Sequence, residues 1–276
     1  MNIRDQITEL LLHSHGIDIS KNEDSFLNNS IRKRAAETHC GSDDSYYSFL
    51  EQNNKERGFF VDSLHIGYSE FIRNTLTFSV LEHIILPELV VKKGNSKLKE
   101  IRIWSAACAA GQETYSLAIL LNELQYTYNE SIKFRIFATD HCESHINDAR
   151  EGKYSAAALN NLSLKRVRQW FSKHGETYTI KPELKKNIDF SVFDLLNEQF
   201  GSPPASIFGD FDLVVCANLL FYYKPEYQSK IIHKTGSSLS GEGFLITGET
   251  ERELLLRQNF SEVYPYSAIF RRMEHR

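Results

Sequence analysis

Four short segments carry residues able to do chemistry, and each follows a stretch that reads as a β-strand. The first is Ser105-Ala-Ala-Cys-Ala-Ala-Gly111-Gln-Glu113. Its small side chains let the backbone approach a ligand near Ala106, and Gly111 can take a conformation that other residues avoid. A dinucleotide fingerprint wants three glycines, so that a pyrophosphate can reach a helix N-terminus. Only one is present, so a nucleoside ligand without a pyrophosphate fits better. Glu113 opens the next helix and can accept from a ligand ammonium, although an acid in a first turn also suits the helix dipole. The second segment, Phe137-Ala-Thr-Asp140, ends in an acid of the kind that accepts ribose hydroxyls. His141 and His145 after it have the i, i+4 spacing of a metal pair, but no third ligand stands at a recognisable spacing. They read as a helix start. In the third, Phe190-Ser-Val-Phe-Asp194-Leu195, a carboxylate and an apolar residue can flank an adenine ring, or Asp194 can cap a helix. The fourth is Cys216-Ala-Asn218-Leu-Leu-Phe-Tyr222-Tyr223, in which Asn218 and Tyr222 leave a buried strand toward a cleft.

The elements that must position these segments begin after Lys99. Candidate strands are Ile101–Ser105, Phe134–Thr139, Ile188–Val192, Phe211–Cys216 and Phe244–Thr247, with helical stripes such as Leu117, Leu120, Leu121 and Leu124 between them. Alternating strands and helices predict an α/β fold with a doubly wound, mostly parallel Rossmann-like sheet, which binds ligands at the carboxyl ends of its strands. Residues 152–187 break the alternation, and Tyr178-Thr-Ile180 after His174-Gly175 predicts a small antiparallel β insertion. A small all-helical domain precedes the sheet. Ile3, Ile7, Leu10 and Leu11 form one stripe, Asp24 is placed to cap a second helix through Ala36, and Gly41-Ser42-Asp43-Asp44 breaks the pattern before Tyr46–Gln52. A longer helix is expected over Thr77–Val91, with Gly94-Asn95-Ser96 as its exit loop. The predicted domains are 1–74 and 75–276, the insertion belonging to the second.

At 276 residues the chain can bury a substantial core, and 41% apolar with 25% charged residues is globular composition. The longest mostly apolar run, Phe211–Tyr223, is too short for the roughly 18 residues that span a bilayer, so no membrane insertion is expected. No secretory signal is visible at the N-terminus. Cys40, Cys108, Cys142 and Cys216 have no CxxC spacing, which fits a reduced cytoplasmic compartment. The net charge of −4 lies wholly in residues 1–66, with 7 Lys/Arg against 11 Asp/Glu; the remainder is neutral and offers nucleic acid nothing.

Taken in order, Tyr68-Ser-Glu-Phe-Ile-Arg73, Trp104-Ser-Ala-Ala-Cys-Ala-Ala-Gly-Gln-Glu-Thr-Tyr-Ser116, Ala138-Thr-Asp140, Glu151-Gly-Lys-Tyr154, Cys216-Ala-Asn218 and Gly248-Glu249 resemble the chemoreceptor glutamate methyltransferase (CheR) family. Ser30-Ile-Arg-Lys-Arg34 likewise resembles that family's basic helix. The resemblance implies an enzyme that takes a methyl group from S-adenosylmethionine, releases S-adenosylhomocysteine, and esterifies glutamate side chains on the helical cytoplasmic region of a receptor. It implies a monomer acting on a protein partner. By position it makes Ser69, Arg73, Ala106, Glu113, Asp140, Asp194, Leu195, Asn218 and Leu219 cofactor contacts, and Arg73 with Tyr222 the catalytic pair. The chain departs from the family pattern at Gln112, Thr114, Ile72, Cys142 and Ala217, the last standing where an arginine is common.

That chemistry needs no general base. A glutamate carboxylate, with an ordinary pKa of about 4.3, is already a nucleophile at neutral pH, and an arginine fork can hold it by two parallel hydrogen bonds. A DNA adenine methyltransferase would need an Asp/Asn-Pro-Pro-aromatic motif after the fourth strand to hold a flipped base. Ser202-Pro203-Pro204-Ala205 stands before that strand and lacks the aromatic residue. A non-catalytic S-adenosylmethionine-binding sensor or scaffold is the competing reading, and an oxidoreductase lacks its glycines.

Overall fold

The computed structural model describes residues 2–65, 67–94, 99–127, 133–206 and 209–273. The exit loop expected at 94–96 falls at residues 95 and 96 outside them. Two compact units are present: Met1–Ile66 with Leu220–Ser229, and Gly67–Leu219 with Lys230–Arg276.

The helical unit contains α1 (Ile3–His15), α2 (Asp24–Glu37), α3 (Asp43–Gln52) and α4 (Asn54–Leu64). Each of their starts is set by a side-chain cap: for α1, α3 and α4, Asn2 accepts from the Asp5 amide, Ser42 from Ser45, and Asn53 from Lys55 and Glu56. Glu23, not Asp24, caps α2, accepting from the Asp24 amide; the helix starts one residue earlier than a cap at Asp24 would require. The apolar stripes converge on a core of Ile7, Leu11, Leu27, Ile31, Tyr46 and Phe60. A carboxylate is buried against it. Glu56 accepts from Arg34 Nε at 2.9 Å, from Arg34 Nη2 at 2.7 Å and from the Tyr46 hydroxyl at 2.9 Å. Arg34, the last residue of the basic-looking helix segment, is therefore spent inside the unit, whereas Arg32 and Lys33 are exposed.

In the larger unit the strands are β1 (Glu100–Ala106), β2 (Lys133–Asp140), β3 (Lys153–Ser155), β4 (Phe171–His174), β5 (Thr177–Ile180), β6 (Ile188–Val192), β7 (Phe211–Val215), β8 (Leu239–Ile246), β9 (Phe260–Glu262) and β10 (Ile269–Arg272). Seven form one sheet in the order β6-β2-β1-β7-β8-β10-β9. The first five are parallel, and β10 runs antiparallel to both β8 and β9. All five residues of β7 are buried, as a strand covered on both faces requires. The chain leaves β1 toward β2 on one side, while β7 flanks it on the other, so the switch point lies between β1 and β7. The α/β reading holds, and so does the insertion: β3, β5 and β4 form a separate antiparallel sheet.

Thr75 to Gly94 is helical, but not uniformly. α5 (Thr75–Val80) and α6 (Leu86–Gly94) are joined by a π turn at Leu81–Ile85, in which the Leu86 amide bonds the Leu81 carbonyl. Pro87 has no N–H for the regular ladder, which favours the wider turn. The remaining helices are α7 (Gln112–Thr127), α8 (Glu143–Glu151), α9 (Leu164–Trp170), α10 (Pro182–Lys185), α11 (Pro225–Ser237) and α12 (Arg252–Leu256). Among the described residues, no helix is long and apolar enough to cross a membrane.

Candidate active site

The loop after β1 turns more sharply than its single glycine suggests. Gly111 has φ 90°, and two alanines, Ala107 and Ala109, are also left-handed at 57° and 47°. Each such residue costs about 1–3 kcal/mol and persists only where its surroundings hold it. They do here. The Ala109 amide donates to Asp140 Oδ2 at 2.9 Å, the Cys108 amide to the Thr139 carbonyl at 2.8 Å, and the Tyr154 hydroxyl to the Ala110 carbonyl at 2.7 Å. A Cβ on Gly111 would stand 3.0 Å from that of Ala149, so helix α8 closes the loop from outside.

Asp140 ends β2 almost fully buried and serves as a junction. Besides Ala109, its other oxygen accepts from the Cys142 amide at 2.9 Å and faces His145 Nδ1 at 3.3 Å. Burial alone would raise its pKa, but the bonds from His145 and Cys142 outweigh that and hold it below the usual carboxylate range. His145 is pushed up in turn by Asp140. The two histidines thus face a carboxylate: His141 Nδ1 stands 3.6 Å and His145 Nδ1 3.3 Å from Asp140 Oδ1. Among the described residues no group of three or more His, Cys, Asp or Glu could hold a metal.

Glu113 lies in the first turn of α7 and accepts from Ser105 at 3.2 Å, while Thr114 donates to that same serine at 2.9 Å. Burial raises its pKa to about 7, with Glu251 adding to the rise and the Ser105 bond and Arg73 opposing it. Cys108 and Cys216, both buried thiols pushed well up, also feel its charge. Half-buried Arg73 has its guanidinium 5.1 Å from the Tyr68 ring centre. Glu251 is a candidate site residue that the linear pattern conceals. Nearly inaccessible, it accepts through Oε2 from the Asn218 amide at 2.8 Å, the Gly248 amide at 2.8 Å and the Thr247 hydroxyl at 2.9 Å. This holds Asn218 in a left-handed turn, φ 59°, just after β7. The available clue is an acid three residues after Gly248, the spacing of half a capping box.

Ser69, Arg73, Ala106, Glu113, Asp140, Asp194, Leu195, Asn218 and Leu219 all belong to the larger unit. Ala106 and Asp140 end neighbouring parallel strands in one register, Ala106 opposite Thr139. Ser69 is half-buried, as is Leu219. Asp194 caps no helix: its Oδ1 accepts from the Leu196 amide at 2.8 Å within a turn, with Leu195 buried beside it. Tyr222 does not continue outward from β7. It closes a short 3₁₀ turn, Leu220–Tyr222, that belongs to the helical unit. There its carbonyl accepts from the Glu23 amide at 2.9 Å, and its ring meets Phe26 edge-on at 4.9 Å.

The donor set suits S-adenosylmethionine. Burial raises the Glu113 carboxyl to about 7 despite the charge of Arg73, and an α-ammonium against it would favour its ionised form. Asp140 spends three acceptor positions internally, and an ionised carboxylate has about four, which leaves room for a ribose hydroxyl. Small residues at 106, 107, 109 and 111 leave the backbone open to close approach.

Comparison with known proteins bears on the same residues. Residues 68–265 match the family described as CheR methyltransferase, SAM binding domain, and residues 5–65 match CheR methyltransferase, all-alpha domain. A chemotaxis protein methyltransferase of Borreliella burgdorferi is 28% identical over 249 residues, covering 89% of this chain and 86% of that protein. Chemotaxis protein methyltransferase 1 of Pseudomonas aeruginosa is 33% identical over 199 residues, 71% of this chain and 69% of that protein. A chemotaxis protein methyltransferase of Listeria innocua is 33% identical over 195 residues, with the same two coverages.

Proposed function

The chain belongs to the CheR methyltransferase family and is an S-adenosylmethionine-dependent methyltransferase; from that premise we propose that it serves chemotaxis by methylating glutamate side chains on the helical cytoplasmic region of a receptor. The reaction takes place in the cytoplasm on a protein substrate, and the product is a glutamate methyl ester. The observation that supports the reading is the match of both units to the CheR methyltransferase domains, with the buried Asp140 and the tight loop after β1 placed at the carboxyl ends of the parallel strands.

S-adenosylmethionine, when bound, supplies a methyl group already activated on a sulfonium. The chain's own residues bind and align. Glu113 takes the ligand ammonium, Asp140 takes the ribose, and Asp194 with Leu195 flanks the adenine. Ser69, Ala106, Asn218 and Leu219 complete the contacts. Arg73 orients a carboxylate through its fork. Tyr222 acts as a hydrogen-bond donor and not as a base.

The test is transfer of labelled methyl from S-adenosylmethionine into a lysate of the source organism and into purified receptor cytoplasmic regions. Label that volatilises in alkali and sits on a discrete receptor band is expected. Alkali-stable label would mean another acceptor, and tight cofactor binding with no transfer would make the protein a sensor.

A pH profile of S-adenosylhomocysteine binding tests the Glu113 assignment separately. Raised above its ordinary value, the Glu113 carboxyl favours the folded state while protonated, and that contribution is lost as pH rises through about 7. The ligand ammonium selects the opposite, ionised form, so affinity should climb as pH rises. The expected gain is roughly five- to tenfold between about pH 6 and about pH 7.5, above which an α-amino group begins to lose its own proton. Glu113→Gln should bind more weakly with a flattened rise. A flat profile for the unaltered protein would remove Glu113 from the ammonium site.

A further inference from the structure

Arg73 follows a residue whose backbone conformation its own shape disfavours. Ile72 has φ 51°, in the left-handed region, and β-branched residues are genuine outliers there. Such a conformation lasts only if its neighbours over-determine it. The peptide joining Phe71 to Ile72 is held at both of its polar ends. Its carbonyl accepts from Asn161 Nδ2 at 3.1 Å, and its N–H donates to Ser116 Oγ at 3.0 Å. Ser116, wholly buried in α7, is itself oriented by donating to the Gln112 carbonyl at 2.8 Å. The Phe71 ring is fully buried and lies edge-on against Tyr154 of β3 at 5.0 Å and Phe171 of β4 at 5.5 Å. Two side chains from separate elements thus pin one peptide plane, and two strands of the insertion grip the ring beside it.

We propose that Ser116 and Asn161 are positioning residues for Arg73: by clamping the Phe71–Ile72 peptide they hold Ile72 left-handed and so set the direction from which the arginine reaches the Glu113 side of the site. The antiparallel insertion, which supplies Asn161, Tyr154 and Phe171, is then a buttress for the arginine. This rests on the role given to Arg73 above. It agrees with the electrostatic reach of Arg73 to Glu113, whose other charged or titratable neighbours are Glu251, Cys108 and Cys216. The kink has a reason under this reading. An ordinary right-handed or extended residue at 72 would send the chain, and the guanidinium, elsewhere.

The test uses Ser116→Ala and Asn161→Ala, singly and together, in the full chain, with thermal melts to verify folding. The first readout needs no receptor: the midpoint pH of S-adenosylhomocysteine binding. Displacing Arg73 removes a positive charge from Glu113, so the midpoint should rise in the double variant in the same direction as in Arg73→Ala. The second is kcat against KM with a receptor substrate. The double variant should lose about tenfold in kcat with KM nearly unchanged, and should lose nothing further in the Arg73→Ala background. Glycine adopts the left-handed region without strain, so adding Ile72→Gly to the double variant should recover both readouts. The clamp is overturned if the double variant keeps the parent midpoint, if Arg73→Ala itself leaves the midpoint unmoved, or if the kcat losses add in full. Should Arg73→Ala move the midpoint yet transfer as well as the parent, the catalytic role of Arg73 falls, and the midpoint still decides the clamp.

Discussion

Arg73→Ala is expected to remain folded and to lose methyl transfer by about 10²-fold or more, the scale of removing one preorganised donor from a site where charge is rearranged. The acceptor carboxylate is already ionised, so its reactivity depends on being held in line and stripped of water. Alignment of that kind is among the larger contributions available to an enzyme. Arginine suits the task because its rigid fork matches two carboxylate oxygens. Arg73→Lys keeps the charge and loses the fork, so it should fall between the parent and alanine. Tyr222→Phe should lose transfer on a similar scale while keeping most of its cofactor affinity. Arg73→Ala should lose part of its affinity as well, through its electrostatic link to Glu113. The check is initial-rate methyl transfer to a competent receptor, with S-adenosylhomocysteine binding measured on the same preparations. Variants that transfer as fast as the parent would end the catalytic assignment of both residues.

The second large effect concerns the helical unit. Glu56→Ala should cost about 3–5 kcal/mol of that unit's stability, the usual penalty for removing one partner of a buried ion pair. Glu56 is only 4% exposed and satisfies Arg34 and the Tyr46 hydroxyl together. Tyr46 lies in the core, and its hydroxyl pKa is pushed far up by burial and by that carboxylate. Without Glu56 the Tyr46 hydroxyl loses its partner, and Arg34 loses the carboxylate facing its Nε and Nη2 and keeps only Glu37 on Nη1. Adding Tyr46→Phe should recover part of the loss, because one orphaned group is then gone. Denaturant unfolding of the three proteins measures this. A loss below about 1 kcal/mol for Glu56→Ala would mean that Arg34 is effectively solvated. The result also separates charges that resemble one another in sequence. Substituting Arg34 should destabilise the unit, whereas substituting Arg32 or Lys33, both exposed, should leave stability unchanged.

Much of the larger unit was legible because its determinants are local. Short apolar runs alternating with 3.6-residue stripes specify strands and helices wherever they occur. The end of each strand then names the loop where a ligand can sit. The one-glycine loop, the acid closing β2 and the acid opening α7 are therefore readable from sequence as one candidate site. The irregular break at 152–187 announced the insertion, because the period changes there from helix to alternation. Errors arose where two local readings compete over a residue or two. Asp24 and Glu23 are both plausible caps, and Asp194 fits a turn as well as a helix start.

Legible in the sequence alone were the five parallel strands of the main sheet and the helices between them, and the small residues and acids at its carboxyl edge; the antiparallel edge strands β9 and β10 were not. Each of the legible features depends on neighbours a few residues away. Tertiary structure alone decided which of those groups remain available for chemistry. Arg34 reads as part of a basic surface until Glu56, 22 residues on, stands against it. Asn218 owes its turn to a carboxylate 33 residues later, and Tyr222 shares a compact unit with Glu23 across some 200 residues of chain. Ala107, Ala109 and Ile72 adopt conformations that their own side chains disfavour, because hydrogen bonds from distant elements outweigh the local cost. A left-handed non-glycine residue costs about 1–3 kcal/mol, and satisfying buried charges and hydrogen-bonding groups is worth about as much for each group. Where the two conflict, the fold decides, and in this protein they conflict at Ile72, Ala107, Ala109 and Asn218, in and beside the loops of the candidate site.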